Sequence, residues 1–335
     1  MTQVNAAYGS TLPGVSAIQP ELWSSMVQVP LYKSLVAMEV ASMKLSDSVK
    51  FADTVHVPRF SALSAQTYTP GTTLSATQQD WFFDNLIVSS YKHVTFYIDD
   101  PTQLTLNVDQ ARDLATDAAY QLKNKIDTDV FKNITGTDGF ITADNADILG
   151  GTNGAPVSAG SANIINIFAG ARKLLRRNNV EEVGDWCAVI TPTVASYIEI
   201  KAATVGFNVA DATLRNGYAG DFMGFQVYIS NNLPSGNLSA ISPAAGSTAA
   251  NNFAGGNLGG PSGANASGTT PARACYFGRK GTIDVVMMKA PALEIRKKDD
   301  MIGSNFITWT VYGSAVFANN AGRGINLSMP TAFTN

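Results

Sequence analysis

Apolar positions recur along this chain in two rhythms. Val108, Ala111, Ala115, Ala118, Leu122, Ile126 and Val130 form one stripe at helical spacing, with Asp113, Asp117, Lys123 and Asp127 off it. Asn107 followed by Gln110 has the form of a capping box. The pattern therefore predicts a helix of about 25 residues, a rod of roughly 38 Å, well beyond the average globular helix. A second helix is expected from Asn163 to Arg177, with Ile164, Ile167, Phe168, Ala171, Leu174 and Leu175 on one face. Thr191-Pro192 opens a third, with Thr as cap and Pro at the first helical position. Nearer the start, Leu22, Trp23, Met26 and Val27 give a helical pattern that Pro30 interrupts, and an apolar run follows from Leu31 to Val40.

The second rhythm has period two. Residues 53–60, DTVHVPRF, alternate as a strand, with Val55 and Val57 on one face and His56 on the other. Pro58 places it at an edge or a strand end. Its expected partner is YKHVTFYI, 91–98, which would bring His56 and His93 near each other. Between them lies an excursion carrying Pro70-Gly71 and the cluster Trp81-Phe82-Phe83. A two-stranded ribbon cannot bury such a cluster by itself. The cluster either folds back on its own domain or lies on another subunit. Further strands are expected at 186–190 (WCAVI), 224–230, 276–289, 292–298 and 305–318. The fold class is α+β, with helices and strands segregated.

Composition then narrows the function. Charged residues make up only 15% of the 335, against about 25% in an average soluble domain. Such a chain is expected to cover much of its exterior with partners. A net charge of −3 gives no global basic field for dedicated nucleic-acid binding. Cys187 and Cys275 stand far apart, and His56 and His93 are the only imidazoles, which argues against a Cys/His metal site or a disulfide framework. No basic-then-apolar leader and no apolar run of membrane length is evident, so a soluble chain in a reducing cytoplasm is expected. Residues 1–20 read as an extended arm, and 222–272, uncharged and rich in Gly, Ala, Ser and Asn, as a long surface loop or a partner-binding surface.

Catalytic signatures are missing: neither phosphate-binding glycine motif occurs, nor does G-x-S-x-G. The acid pairs Asp99-Asp100, Glu181-Glu182 and Asp299-Asp300 point their neighbours to different faces, as solvated turns do. DNADILGG at 144–151 misses calcium-loop spacing. Arg172, Lys173, Arg176 and Arg177 crowd a helix end, where they complement the dipole or meet an acidic partner or a packaged polyanion. The N-x-[ST] triplets at Asn133, Asn237, Asn265 and Asn326 are chance in an Asn/Ser-rich chain. No catalytic residue, metal or cofactor is expected.

The order of these elements resembles the major capsid proteins of tailed bacteriophages of the Hong Kong 97 type. PELWSSMVQVPLYKSLV resembles the family's start after its arm, FADTVHVPRF the strand entering its extended loop, and VTFYIDDPTQL the strand leaving that loop. Segment 108–132 is similar to the spine helix, and VITPTVASYI with LRNGYAGDFMGFQVYISNNLP to the axial domain. The resemblance implies an arm and first helix at 1–50, the extended loop with flanking strands at 51–100, and a peripheral domain with the spine helix at 101–135. It implies an axial domain at 136–290 with an insertion at 234–272, and return strands of the peripheral domain at 291–335. The implied function is a shell subunit that self-assembles as pentamers and hexamers around double-stranded DNA, contacted without sequence preference, in a virion built in the host bacterial cytoplasm. Implied partners are other copies of the chain, a separate scaffolding protein, a portal at one vertex and a possible cement protein, with no membrane. Arg59, Phe60, Trp81, Phe82 and Phe83 are the expected subunit contacts. Residues 51–91 contain no Lys, so the prototype's loop cross-link is not expected and the shell should be noncovalent. Rival readings are an encapsulin-like nanocompartment and, from another class, a secreted adhesin or tail-fibre-like binding module.

Overall fold

The computed structural model describes residues 32–33, 35–46, 53–61, 63–73, 79–100, 110–135, 140–143, 145–151, 157, 159–181, 185–205, 220–236, 272–297 and 302–330. The expected arm, the helical pattern around Trp23, Asn107 with Val108, and residues 237–271 of the uncharged segment lie outside them.

Strand WCAVI is β5 (Trp186–Ile190), buried along its whole length. It is buried on both faces because it sits inside a seven-stranded mixed sheet. With β4 (Ile141–Ala143), β6 (Asp221–Phe222), β7 (Phe225–Ile229), β9 (Ala272–Arg279) and β12 (Gly324–Pro330), the order is β4-β12-β9-β5-β7-β6, and β8 (Ser235–Gly236) pairs with β9. The β5–β7 and β12–β4 pairs are parallel and the rest antiparallel. Helix α4 (Ile164–Arg177) covers this sheet with the six apolar residues read from its period, all buried. Its Phe168 stands edge-on to Phe277 at 5.1 Å and to Phe225 at 5.9 Å, while Trp186 stacks on Phe225 at 5.4 Å. Helix α5 (Pro192–Val205) starts where Thr191-Pro192 places it; the Thr191 carbonyl accepts the Ala195 N–H at 3.0 Å.

The second layer is a three-stranded antiparallel sheet, β10 (Asp284–Lys297), β11 (Gly303–Ala315) and β3 (Ser90–Asp99), in that order. The segment expected as one strand at 276–289 is split. Gly281, at φ 74°, turns the chain between β9 and β10, a conformation open to Gly at little cost. Strand β10 instead runs unbroken through Pro291, accommodating it with register shifts on either side of Lys289.

Across this sheet lies the long helix, α2 (Gln110–Lys132). Ala118, Leu122, Ile126 and Val130 of the expected stripe are buried, whereas Ala111 and Ala115 are half-buried. One expectation fails. Asp127, placed off the stripe, is only 3% exposed. The far side of α2 is covered too, by the segment leading into α1 (Ala37–Val40). Asp127 Oδ1 accepts the backbone N–H groups of Val36 (2.9 Å) and Ala37 (2.7 Å), and Oδ2 accepts Asn232 Nδ2 (2.9 Å). These bonds satisfy donors that a short helix start leaves orphaned. The short helix α3 (Asn145–Leu149) packs on α4, and α6 (Ala318–Ala321) leads into β12.

Candidate assembly surface

Strands β1 (Thr54–Phe60) and β2 (Trp81–Ile87) form a separate antiparallel ribbon, in register from Thr54↔Ile87 to Phe60↔Trp81. This corrects the expected pairing. The aromatic cluster is itself the partner strand of β1, while YKHVTFYI belongs to β3, which pairs with β11. Both WFFDNLI and YKHVTFYI suit a strand by β-propensity, so alternation alone did not say which of them pairs with β1. The two imidazoles do not meet. His56 Nδ1 lies 2.6 Å from Asn85 Oδ1, and His93 stands opposite Trp309.

Alternation gives the ribbon two unlike faces. On the rooted face, Leu86 is fully buried in a small cluster with Val88, Val286, Val311 and Phe317, and Val55 and Val57 pack against it. Gly313 on β11 makes this closeness possible, because any Cβ there would press on the Ile87 carbonyl oxygen and come within 3.0 Å of Val88 Cα. Farther out on the same face, Arg59 Nε donates to Asp84 Oδ1 at 2.9 Å, and the Arg59 guanidinium lies 5.1 Å from the Phe82 ring centre. Asp84 Oδ2 accepts the Ala318 N–H at 3.2 Å and so ties the ribbon to α6.

On the open face stand Phe60, Trp81, Phe83 and Ile87, with exposures of 60%, 62%, 64% and 59%. Phe60 and Trp81 meet edge-on at 5.9 Å. Of the five contact residues expected from sequence, Phe60, Trp81 and Phe83 therefore share one unpartnered apolar face. Arg59 and Phe82 lie on the other face, the guanidinium beside a ring that is itself 44% exposed. This division follows from period-two alternation once β1 and β2 are paired.

Sequence reading missed a second polar group. Glu294 accepts Lys289 Nζ (2.8 Å), Trp309 Nε1 (2.7 Å) and Arg296 Nη2 (3.1 Å), and the Lys289 ammonium sits 3.3 Å from the Trp309 ring centre. Those donors hold the Glu294 carboxyl down at about 2. The register shifts on either side of Lys289 accompany this meeting; no local motif announces them. At the end of α2, Asp129 Oδ2 accepts the Tyr312 hydroxyl at 2.7 Å. Burial pushes Tyr312 upward and, by the opposite balance, the Tyr312 and Lys132 hydrogen bonds outweigh desolvation and lower Asp129.

These groups fasten strands and helices; nothing among them aims a nucleophile or base into a pocket. Both thiols are buried, which pushes Cys187 and Cys275 up to about 12. Among the described residues no group of three or more His, Cys, Asp or Glu gathers as a metal-ligand set.

No family model and no curated protein matches the chain. Solved structures do. One from Mycobacterium phage Che8 is 18% identical over 92% of this chain and 96% of that one, with a TM-score of 0.68. The capsid structure of the cyanophage P-SCSP1u is 16% identical over 96% of each chain, with a TM-score of 0.67. The mature capsid of bacteriophage PhiM1 contributes a chain 15% identical, covering 94% of this chain and 93% of its own, at 0.64. Likeness of this extent over nearly all of both chains establishes the fold.

Proposed function

The chain has the Hong Kong 97-type capsid fold, and from that premise we propose that it is the major capsid protein of a tailed double-stranded DNA bacteriophage. The observation that carries the reading is the ribbon's open face. Three aromatic rings and an isoleucine project from a two-stranded element whose other face is rooted in a hydrophobic cluster on the body of the subunit. A side chain row of this kind gains most by docking on a neighbouring copy.

In this reading β1 and β2 belong to the extended loop that overlaps the next subunit, and α2 is the spine helix. Copies close as pentamers and hexamers into an icosahedral shell, noncovalently. A scaffolding protein guides assembly in the host cytoplasm, a portal occupies one vertex, and a cement protein is an optional partner. The chain performs no catalysis.

Electron microscopy of the purified full chain, with and without its candidate scaffolding protein, tests this. Closed shells or rings of five and six are expected. A monomer under both conditions refutes the assignment. Shells filled with enzyme cargo instead of DNA point to a nanocompartment.

A further inference from the structure

Where the chain turns from β9 into β10, an open cleft of about 450 Å³ gathers Lys44, Arg279, Lys280 and Arg323 with Asp185 as the one carboxylate in its lining. Four cations and one anion line it, in a chain whose net charge is −3, with Glu39 near Lys280 and Asp284 near Lys44 behind the lining. No run in the sequence contains them; positions 44, 185, 279–280 and 323 meet only in the fold. Backbone bonds stitch the walls together: Gly281 N–H to the Val40 carbonyl (2.7 Å), Lys280 N–H to Asp185 (2.8 Å) and Arg279 N–H to Arg323 (3.1 Å). The backbone that carries the cations is therefore fixed before any ligand arrives.

Their present partners are weak. Arg279 reaches Asp185 at 3.4 Å, with side chains 33% and 54% exposed, and Arg323 donates to the neutral Asn320 Oδ1 at 3.2 Å. Lys280 is directed elsewhere, its ammonium 5.0 Å from the Tyr228 ring centre. Lys44, which feels Asp284, stands with Arg279 and Arg323 at the open side of the cleft, where the three can turn to an incoming anion. Two guanidinium forks beside an ammonium match the oxygens of successive phosphates.

We propose that this cleft is a sequence-independent contact site for the phosphate backbone of duplex DNA. The proposal deepens the capsid reading by assigning residues to the packaged genome. The cleft is too small for a whole duplex and so takes one strand's edge. Its backbone N–H groups are already spent on its own walls, so recognition runs through side-chain charge and carries no base preference.

The test titrates the full chain with a fluorescein-labelled duplex of about 20 base pairs and mixed sequence, followed by anisotropy from about 50 to 200 mM salt. Mass photometry of the same samples reports assembly. Three phosphate contacts give a slope near −2.7, so affinity should fall about 40-fold over that range. Lys44→Gln/Arg279→Gln/Arg323→Gln should bind at least about tenfold more weakly with a nearly flat salt dependence. Arg279→Lys/Arg323→Lys keeps the charge and should keep the slope, which separates lost contact from misfolding. Lys201→Gln/Lys297→Gln, away from the cleft, should behave as wild type. The proposal is overturned by no duplex binding, by a wild-type slope in the triple glutamine variant, or by a poly-glutamate peptide outcompeting the duplex through the same residues. Cleft-dependent binding by a chain that never forms shells would instead sink the capsid reading and leave the cleft standing.

Discussion

Removing one ring from the open face of the ribbon should weaken assembly without unfolding the subunit. Trp81 and Phe83 are 62% and 64% exposed. An aromatic side chain of roughly 200 Å² then offers about 120 Å² to a neighbour. At about 25 cal/mol/Å², complete covering contributes about 3 kcal/mol per ring. Every 1.4 kcal/mol is about tenfold, so Trp81→Ala or Phe83→Ala should raise the concentration threshold for shell formation by about tenfold if half covered and about a hundredfold if fully covered. Loss of the Phe60–Trp81 edge contact should change subunit stability by less than about 1 kcal/mol. Phe82→Ala serves as the internal contrast. Phe82 lies on the opposite face beside the Arg59 guanidinium and is less exposed, at 44%, so its loss should loosen the ribbon and lower its resistance to proteolysis, with a smaller effect on the threshold. The assay is light scattering against protein concentration, paired with urea unfolding of unassembled chain. An unchanged threshold for Trp81→Ala/Phe83→Ala, or equal thresholds for Phe82→Ala and Phe83→Ala, refutes the division of the ribbon into a bracing and a docking face.

Three further outcomes test the fold. Asp127→Ala strands two buried N–H donors and takes from the Asn232 amide one of its two acceptors, Asn124 being the other, and should cost about 3–5 kcal/mol in urea unfolding, whereas Asp127→Asn, which keeps one acceptor, should cost less than half as much; equal costs would contradict the capping role. Gly313→Ala should overpack the ribbon root by about 1–3 kcal/mol, visible as faster cleavage within residues 61–80, while unchanged cleavage would deny the close approach. Glu294 has its carboxyl lowered from 4.5 to about 2 in the fold, so its stabilising contribution is full above the unfolded value and is lost as pH falls through the window between the two. Wild-type stability should therefore decline with acid across that window more than that of Glu294→Gln, and parallel acid profiles would show that the Lys289–Glu294–Trp309 group does not report on folding.

Much of this architecture was legible because it is local. The α4 stripe, the Thr191-Pro192 helix start, the buried WCAVI strand and most of α2 follow from period and capping alone. The errors share one cause. Asp127 was placed off the buried stripe, and the contacts of Arg59 and Glu294 went unread, because the partners of these charged residues lie far away in sequence, at Val36, Asp84 and Trp309, and periodicity carries no information about such meetings. The pairing of β1 failed for a related reason. Two following strands had comparable β-propensity, and nothing local in either says which of them leaves for the second sheet. The basic cleft is the extreme case, since its cations stand at positions 44, 279, 280 and 323, each unremarkable among its own neighbours.

The ribbon is rooted in a hydrophobic cluster of its own, around Leu86, Val88, Val286, Val311 and Phe317, apart from the main core under the seven-stranded sheet. A closed shell with both five- and sixfold vertices asks one sequence to sit in non-identical surroundings, a requirement of quasi-equivalence. If the capsid reading holds, a ribbon seated in this satellite cluster would tilt to suit each local curvature by repacking a few side chains. The aromatic group of Phe168, Trp186, Phe225 and Phe277 lies in the other cluster, so such a tilt would leave the body of the subunit unchanged.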